Sequence, residues 1–304
     1  MVSCPFGAIV DKSQIFQVVR SIAEENSVVA IVAPSFVGQF GKNVTVSKFV
    51  SAMKLLGFSD VVEVAAGADV CAIEEAKDFI EKVPSQQKFL ATSCCPSWRM
   101  MARRLFPKES GNISMTYTPM IYTARLVRHT HPGSKVVFIG PCAAKKLEAM
   151  QEDLRSEVDF VLTYEELMGI FEAKEVDFST LPDIDELHDA SGLGRGFAAA
   201  GGVAEAVKEI LSRTQPDAEV KIQRADGLRA CRKLLTLAKT GKLDGYLLEG
   251  MACPGGCVAG AGTILSADAA KRQLEAHVKQ ADVHSCVDSP YSAFAGLLEK
   301  PASR

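Results

Sequence analysis

The sequence predicts an α/β protein built from two lobes of mostly parallel sheets flanked by helices, and three observations carry that prediction. Short continuous apolar runs such as Val28-Val-Ala-Ile-Val-Ala-Pro34 suit strands buried on both faces. Stretches of helical periodicity separate these runs along almost the whole chain, as parallel neighbours require. Loops rich in Gly, Pro and Cys follow several of the runs, where open α/β sheets place their ligands.

Taken in order from Ser27, Val28 to Pro34 reads as the first strand and Val46 to Leu56 as a helix. Asp60 to Ala65 reads as strand, Asp69 to Val83 as helix, and Lys88 to Thr92 as strand. Helices Pro96 to Leu105 and Pro119 to Arg128 precede the strand Lys135 to Ile139. A second lobe is expected after Met150. Asp159 to Thr163 is its strand and Tyr164 to Glu172 its helix, and the acidic, proline-containing span 176–186 is a long irregular connection. Gly201 to Arg213 reads as helix, Val220 to Gln223 as strand, Leu228 to Lys239 as helix and Tyr246 to Glu249 as strand. Helices at Ala267 to Gln280 and Pro290 to Leu298 form a C-terminal wrap. The expected division is lobe one at about 27–150, lobe two at about 151–265 and the wrap at about 266–304.

The 304 residues, 47% apolar and 23% charged, describe an ordinary soluble globular chain. A net charge of -3 and a pI near 6 leave no basic footprint for nucleic acid. No apolar run approaches the length of a membrane span, and the N-terminus has no signal-peptide core, so the expected location is cytoplasmic. Nine cysteines, an odd number, argue for ligands and buried thiols over a disulfide framework. Cys71, Cys231 and Cys286 lie in helical or unremarkable sequence and read as small core hydrophobes.

The remaining cysteines are placed differently. Cys94-Cys95-Pro96 follows the strand at 88–92, Pro141-Cys142 the strand at 135–139, and Cys253-Pro-Gly-Gly-Cys257 the strand at 246–249. Two thiols four apart on a Pro-Gly-Gly backbone could form an inert turn or face one bulky object, and glycine permits the close approach. Thiolates with no accompanying histidine cluster suit zinc or a 4Fe-4S cluster. Structural zinc usually takes close C-x2-C pairs, so this scattered spacing favours iron and sulfur. Near the N-terminus, Cys4-Pro5-Phe-Gly-Ala8 reads like the end of a bacterial ferredoxin motif without the cysteines that should precede it. Residues 1–12 are therefore expected to be a remnant of a ferredoxin-like module.

Thr92-Ser-Cys-Cys-Pro-Ser-Trp98, Pro141-Cys-Ala-Ala-Lys-Lys-Leu-Glu148 and Met251-Ala-Cys-Pro-Gly-Gly-Cys257, in this order, resemble the three signatures of the catalytic domain of FeFe (iron-only) hydrogenases. The resemblance covers nearly the whole chain, with residues 13–304 as the H-cluster domain. It implies reversible oxidation of H2 to two protons and two electrons, with electrons exchanged with a ferredoxin-like carrier. It implies a 4Fe-4S cubane held between the lobes by Cys95, Cys142, Cys253 and Cys257. The last would bridge to a two-iron subsite carrying CO, cyanide and an azadithiolate, inserted by maturation proteins. Cys94 matches the proton donor, and Glu75, Ser114 and Asp78 match the relay behind it, with Ser114 between the two acids. Lys145 matches the lysine that holds one cyanide, and Ala33-Pro34-Ser35 the loop that holds the other. Phe197, Met251 and Thr118 match pocket residues.

Departures from the pattern are Gly140 where many members have methionine, Ala143-Ala144 in place of more polar residues, and Met120 where many have glutamine. Two alternatives stay open at this level: a hydrogen sensor, and a non-enzymatic iron-sulfur assembly factor of the nuclear-prelamin-factor kind. An assembly scaffold needs no proton relay, and Cys94, Glu75 and Ser114 therefore speak against it.

Overall fold

A computed structural model describes residues 12–24, 27–184, 187, 190–216 and 220–298; Cys4 and the rest of the expected ferredoxin remnant, save Lys12, lie outside them. Among the described residues, seven strands form two all-parallel sheets. β1 (Val28–Val32), β2 (Asp60–Glu63), β4 (Lys135–Ile139) and β5 (Phe160–Leu162) make the first, in the order β2-β1-β4-β5. β3 (Leu90–Ala91), β6 (Lys221–Asp226) and β7 (Tyr246–Met251) make the second, in the order β3-β7-β6. All five residues of β1 are buried, as a central parallel strand covered on both faces requires.

The helices are α1 (Ile15–Ala23), α2 (Val46–Leu56), α3 (Val64–Lys82), α4 (Pro96–Leu105), α5 (Pro119–Thr130), α6 (Ala143–Ala149), α7 (Tyr164–Ala173), α8 (Gly192–Gly196), α9 (Gly202–Thr214), α10 (Leu228–Lys239) and α11 (Ala267–Lys279). Local chemistry sets their starts. The Thr45 side chain accepts from Lys48 N to begin α2, and Thr163 with Glu166 forms a capping box on α7. Proline opens α4 and α5, where its missing N–H costs nothing.

Helix α3 organises the interior. It packs against α5, α8 and α9, and fourteen of its nineteen residues are buried. Gly67 permits the α3–α5 approach, because a Cβ there would stand 2.3 Å from Pro119 O. One apolar core joins α3, α5 and α9 to the inner faces of both sheets. A second covers the other face of the first sheet with α2 and α7, and a third packs α4 and α10, with Trp98, against β7.

Several expectations change. The sheets cut across the division at 150/151: β5 completes the first sheet beside β4, and β3 crosses to the second because central β7 takes a partner on each side. Val64 and Ala65 open α3 instead of ending β2. Pro290–Phe294 is a short 3-10 turn instead of a helix reaching Leu298, and Gly296, at φ 83°, turns the chain away. Helices α1, α6 and α8 were not anticipated. No helix among the described residues is long and apolar enough to cross a membrane.

Candidate functional site

Three strand-to-loop transitions deliver the cysteines. β3 runs into Thr92-Ser93-Cys94-Cys95, and Cys95 is the N-cap of α4. β4 runs through Gly140-Pro141 to Cys142, the N-cap of α6. β7 runs through Ala252 to Cys253, and Cys257 opens a 3-10 turn after Gly255 and Gly256 at φ 85° and 94°. Gly256 is required twice over: its φ is left-handed, and a Cβ would stand 2.5 Å from Ala200 N.

Cys95, Cys142, Cys253 and Cys257 line a single cavity of about 100 Å³, together with Cys94, Ala33, Pro34, Met120, Lys145, Phe197 and Met251. Burial pushes the Cys142, Cys253 and Cys257 thiols up, Cys253 to about 11, and the negative charge of neighbouring site cysteines pushes the same way. Converging thiols of this kind become thiolates when a strongly cationic centre takes them. Among the described residues no group of three or more His, Cys, Asp or Glu can hold a single metal ion. Four thiols lining one cavity that has no histidine in its lining suit a cluster several atoms across.

Lys145 reaches the cavity wall from α6, with its Nζ 2.6 Å from Glu148 Oε2 and 3.5 Å from Cys94 O. Glu148 is fully buried, so the ammonium is held on a fixed carboxylate. Ser35 is placed otherwise than its neighbours. Its hydroxyl lies 2.8 Å from Tyr164 Oη, which donates to Ala33 O at 3.0 Å, and Ser35 is not among the cavity-lining residues. Thr118 is buried beside the site without lining it, and its Oγ1 has no hydrogen-bond partner among the described residues.

Behind Cys94, Glu75 has no solvent exposure. Its Oε1 accepts from Ser93 N at 2.7 Å and Ser93 Oγ at 3.0 Å, while Oε2 is buried without a hydrogen-bond partner among the described residues. Burial raises its pKa to about 7 despite the Ser93 bonds, and Asp78 and Glu249 add to the rise. Ser114 Oγ lies 3.1 Å from Asp78 Oδ2 and 2.8 Å from Thr116 Oγ1. Asp78 Oδ1 meets Lys82 Nζ at 3.1 Å, and that side chain is 25% exposed. The residues expected to form a relay thus fall into two groups, Cys94 with Ser93 and Glu75, and Ser114 with Thr116, Asp78 and Lys82. Ser114 is bonded to the outer group, not suspended between both acids. The sequence reading missed Ser93, Thr116, Lys82 and Glu148. Helical spacing could have found two of them, since Lys82 is four residues from Asp78 and Glu148 three from Lys145. Cys71, Cys231 and Cys286 are fully buried, as expected.

The fold and this arrangement of cysteine loops place the chain in a defined class. Residues 26–261 match the family model for the iron-only hydrogenase large subunit, C-terminal domain, and the chain belongs to that family. It is 28% identical over 309 residues to iron hydrogenase 1 of Clostridium pasteurianum, covering 85% of this chain and 54% of that protein. It is 25% identical over 298 residues to the nuclear prelamin A recognition factor of Xenopus laevis, covering 79% and 65%. An FeFe-hydrogenase structure from Chlamydomonas reinhardtii superposes with a TM-score of 0.74 at 19% identity, covering 96% of each chain, which shows the shared fold. The chain spans about half of the Clostridium protein's length.

Proposed function

We propose that the chain is the catalytic domain of an FeFe hydrogenase, interconverting H2 with two protons and two electrons. The observation that carries this reading is the pairing of a four-cysteine cavity with buried Glu75, which keeps one oxygen unbonded behind Cys94. Cys95, Cys142, Cys253 and Cys257 would hold a 4Fe-4S cubane, with Cys257 shared with a two-iron subsite. When bound, that H-cluster supplies the redox chemistry and the metal at which hydrogen is made or split.

The chain's own residues would do the rest. Cys94 lines the cavity and passes a proton to or from the bound group, and Glu75, with a pKa near 7, takes or returns it. Ser114, Thr116 and Asp78 carry it toward Lys82 and solvent, one bridging water or a side-chain rotation joining the two groups. Lys145 holds an anionic ligand, with Glu148 fixing its position. Pro34, Phe197 and Met251 keep the cavity apolar and exclude water. A cytoplasmic location and dedicated maturation proteins accompany this reading.

A ferredoxin-like carrier of acidic surface would meet α10, where Arg229, Arg232, Lys233 and Lys242 line an open groove beside the sheet that leads to Cys95 and Cys253. Likeness to the prelamin recognition factor supports the assembly-factor alternative, so activity must decide. The test is anaerobic expression, reconstitution of the cubane, addition of a synthetic two-iron subsite, and an assay of hydrogen evolution from reduced viologen. Turnover is the expected result. A chain that takes the cubane and refuses the subsite would be an assembly factor, and a loaded chain without turnover would be a sensor. Cys94→Ala should abolish turnover with the cubane absorbance intact, whereas Cys142→Ala should lose iron.

A further inference from the structure

Arg99 is a buried cation with no part in the relay or the cysteine set. It lies on α4 one turn after Cys95, its N bonded to Cys95 O at 3.1 Å, and it is 4% exposed. A guanidinium carries five N–H donors and is seldom buried without an acid to meet it. Here the acid is Glu148, on α6, whose Oε1 lies 3.9 Å from Arg99 Nη2. Gln151 Oε1 accepts from the same nitrogen at 3.5 Å, and Arg99 Nη1 is buried without a hydrogen-bond partner among the described residues.

Glu148 is shared between two cations. Its Oε2 accepts from Lys145 Nζ at 2.6 Å, while Oε1 has no hydrogen bond among the described residues and only the longer ion pair with Arg99. The trio therefore keeps one positive charge in excess. It also ties α4 to α6, the two helices whose N-caps are Cys95 and Cys142.

An excess charge under cover is costly unless an opposite charge answers it. Burial lowers the Arg99 pKa; Glu148, Asp153 and negative charge on Cys95 push it back up, while Arg103 adds to the fall. The answering charge thus lies partly at the cysteines, and Lys145 lines the cavity together with Cys95 and Cys142. Thiolates around an iron-sulfur cluster bring net negative charge to such a cavity, and the charge surrounding a cluster is one of the levers on its reduction potential.

We propose that Arg99 is a positioning residue for the cysteine site: through Glu148 it fixes Lys145, and its surplus charge eases reduction of a cluster held by Cys95, Cys142, Cys253 and Cys257. The inference rests on the cluster reading above and adds to it a residue that tunes the potential.

Reconstitution of the full chain with iron and sulfide alone, followed by a redox titration read by electron paramagnetic resonance of the reduced cubane, tests it without turnover. Arg99→Met should lower the midpoint potential by about 59 mV, a tenfold shift in a one-electron reduction equilibrium and the scale of one part-screened charge. Glu148→Gln, which keeps an acceptor for Lys145, should raise it by a similar amount. The double variant should return it near the parent, and Arg99→Lys should keep it there. A residue that merely packs would shift both single variants the same way, or neither. Iron content equal to the parent's establishes that each variant holds the cluster, and Arg99→Gln carries the test if Arg99→Met loses iron. A parent that takes up no iron would sink the cluster reading and this proposal with it. A parent that takes up iron, with a potential unmoved or raised in Arg99→Met, would overturn the role of Arg99 alone.

Discussion

The two halves of α3 carry buried carboxylates with the same electrostatic problem and different solutions. Burial raises Asp69 to about 6 and Glu75 to about 7. Asp69 is used up by hydrogen bonds: Ser191 N donates to its Oδ2 and Ser191 Oγ to its Oδ1, which ties α8 to α3. Glu75 spends one oxygen on Ser93 and leaves the other bare. Burial alone therefore does not mark a working acid. On the proposed reading, it is the combination of a shifted pKa with unspent hydrogen-bonding capacity that does.

Substitutions can break that contrast. Glu75→Gln keeps the acceptor for Ser93 and removes the titrating proton; hydrogen evolution should fall about 10²- to 10⁴-fold with the melting temperature kept. Activity within threefold of the parent would reduce Glu75 to a structural acid. Asp69→Ala should do the reverse at pH 5, costing about 4 kcal/mol in denaturant unfolding because Ser191 loses its acceptor, while each folded molecule keeps its turnover.

The pH dependence sharpens the comparison further. Both acids have folded pKa values above their unfolded values near 4, so the native state binds more protons in the window between. Stability should thus fall as pH rises from about 4 through 7. Glu75→Gln should remove about 3 kcal/mol of that fall, read as the difference in unfolding free energy between pH 4 and pH 8. The smallest effect belongs to Ser114→Ala. It should slow turnover about fivefold, the worth of one hydrogen bond, with iron content unchanged.

Much of this was legible because local signals agreed with the fold. Thr45 and the periodic run after it set α2 at Val46–Leu56, and Pro96 and Pro119 mark their helices for a backbone reason that no tertiary contact overrides. Pro, Gly and Cys after a strand marked all three cysteine loops. What stayed hidden depends on partners distant in sequence. Nothing in Leu90–Ala91 or Phe160–Leu162 says which sheet each joins, since that follows from vacancies beside β7 and β4. Ser35 turns to Tyr164, 129 residues away, and Ser114 to Asp78. α1 escaped notice, and its amphipathic pattern leaves Phe16 70% exposed.

The exchange of β3 and β5 between the sheets has a consequence for synthesis. Cys94 and Cys95 leave the ribosome on a strand whose partner, β7, begins some 150 residues later. Until then the first cysteine loop has no partner strand to hold it, and the nascent chain carries thiols it cannot yet arrange. Cys253 and Cys257 follow β7, so the four-cysteine cavity can close only after that strand has been made. On the proposed reading, a metallocentre held by all four cysteines would be installed no earlier than that.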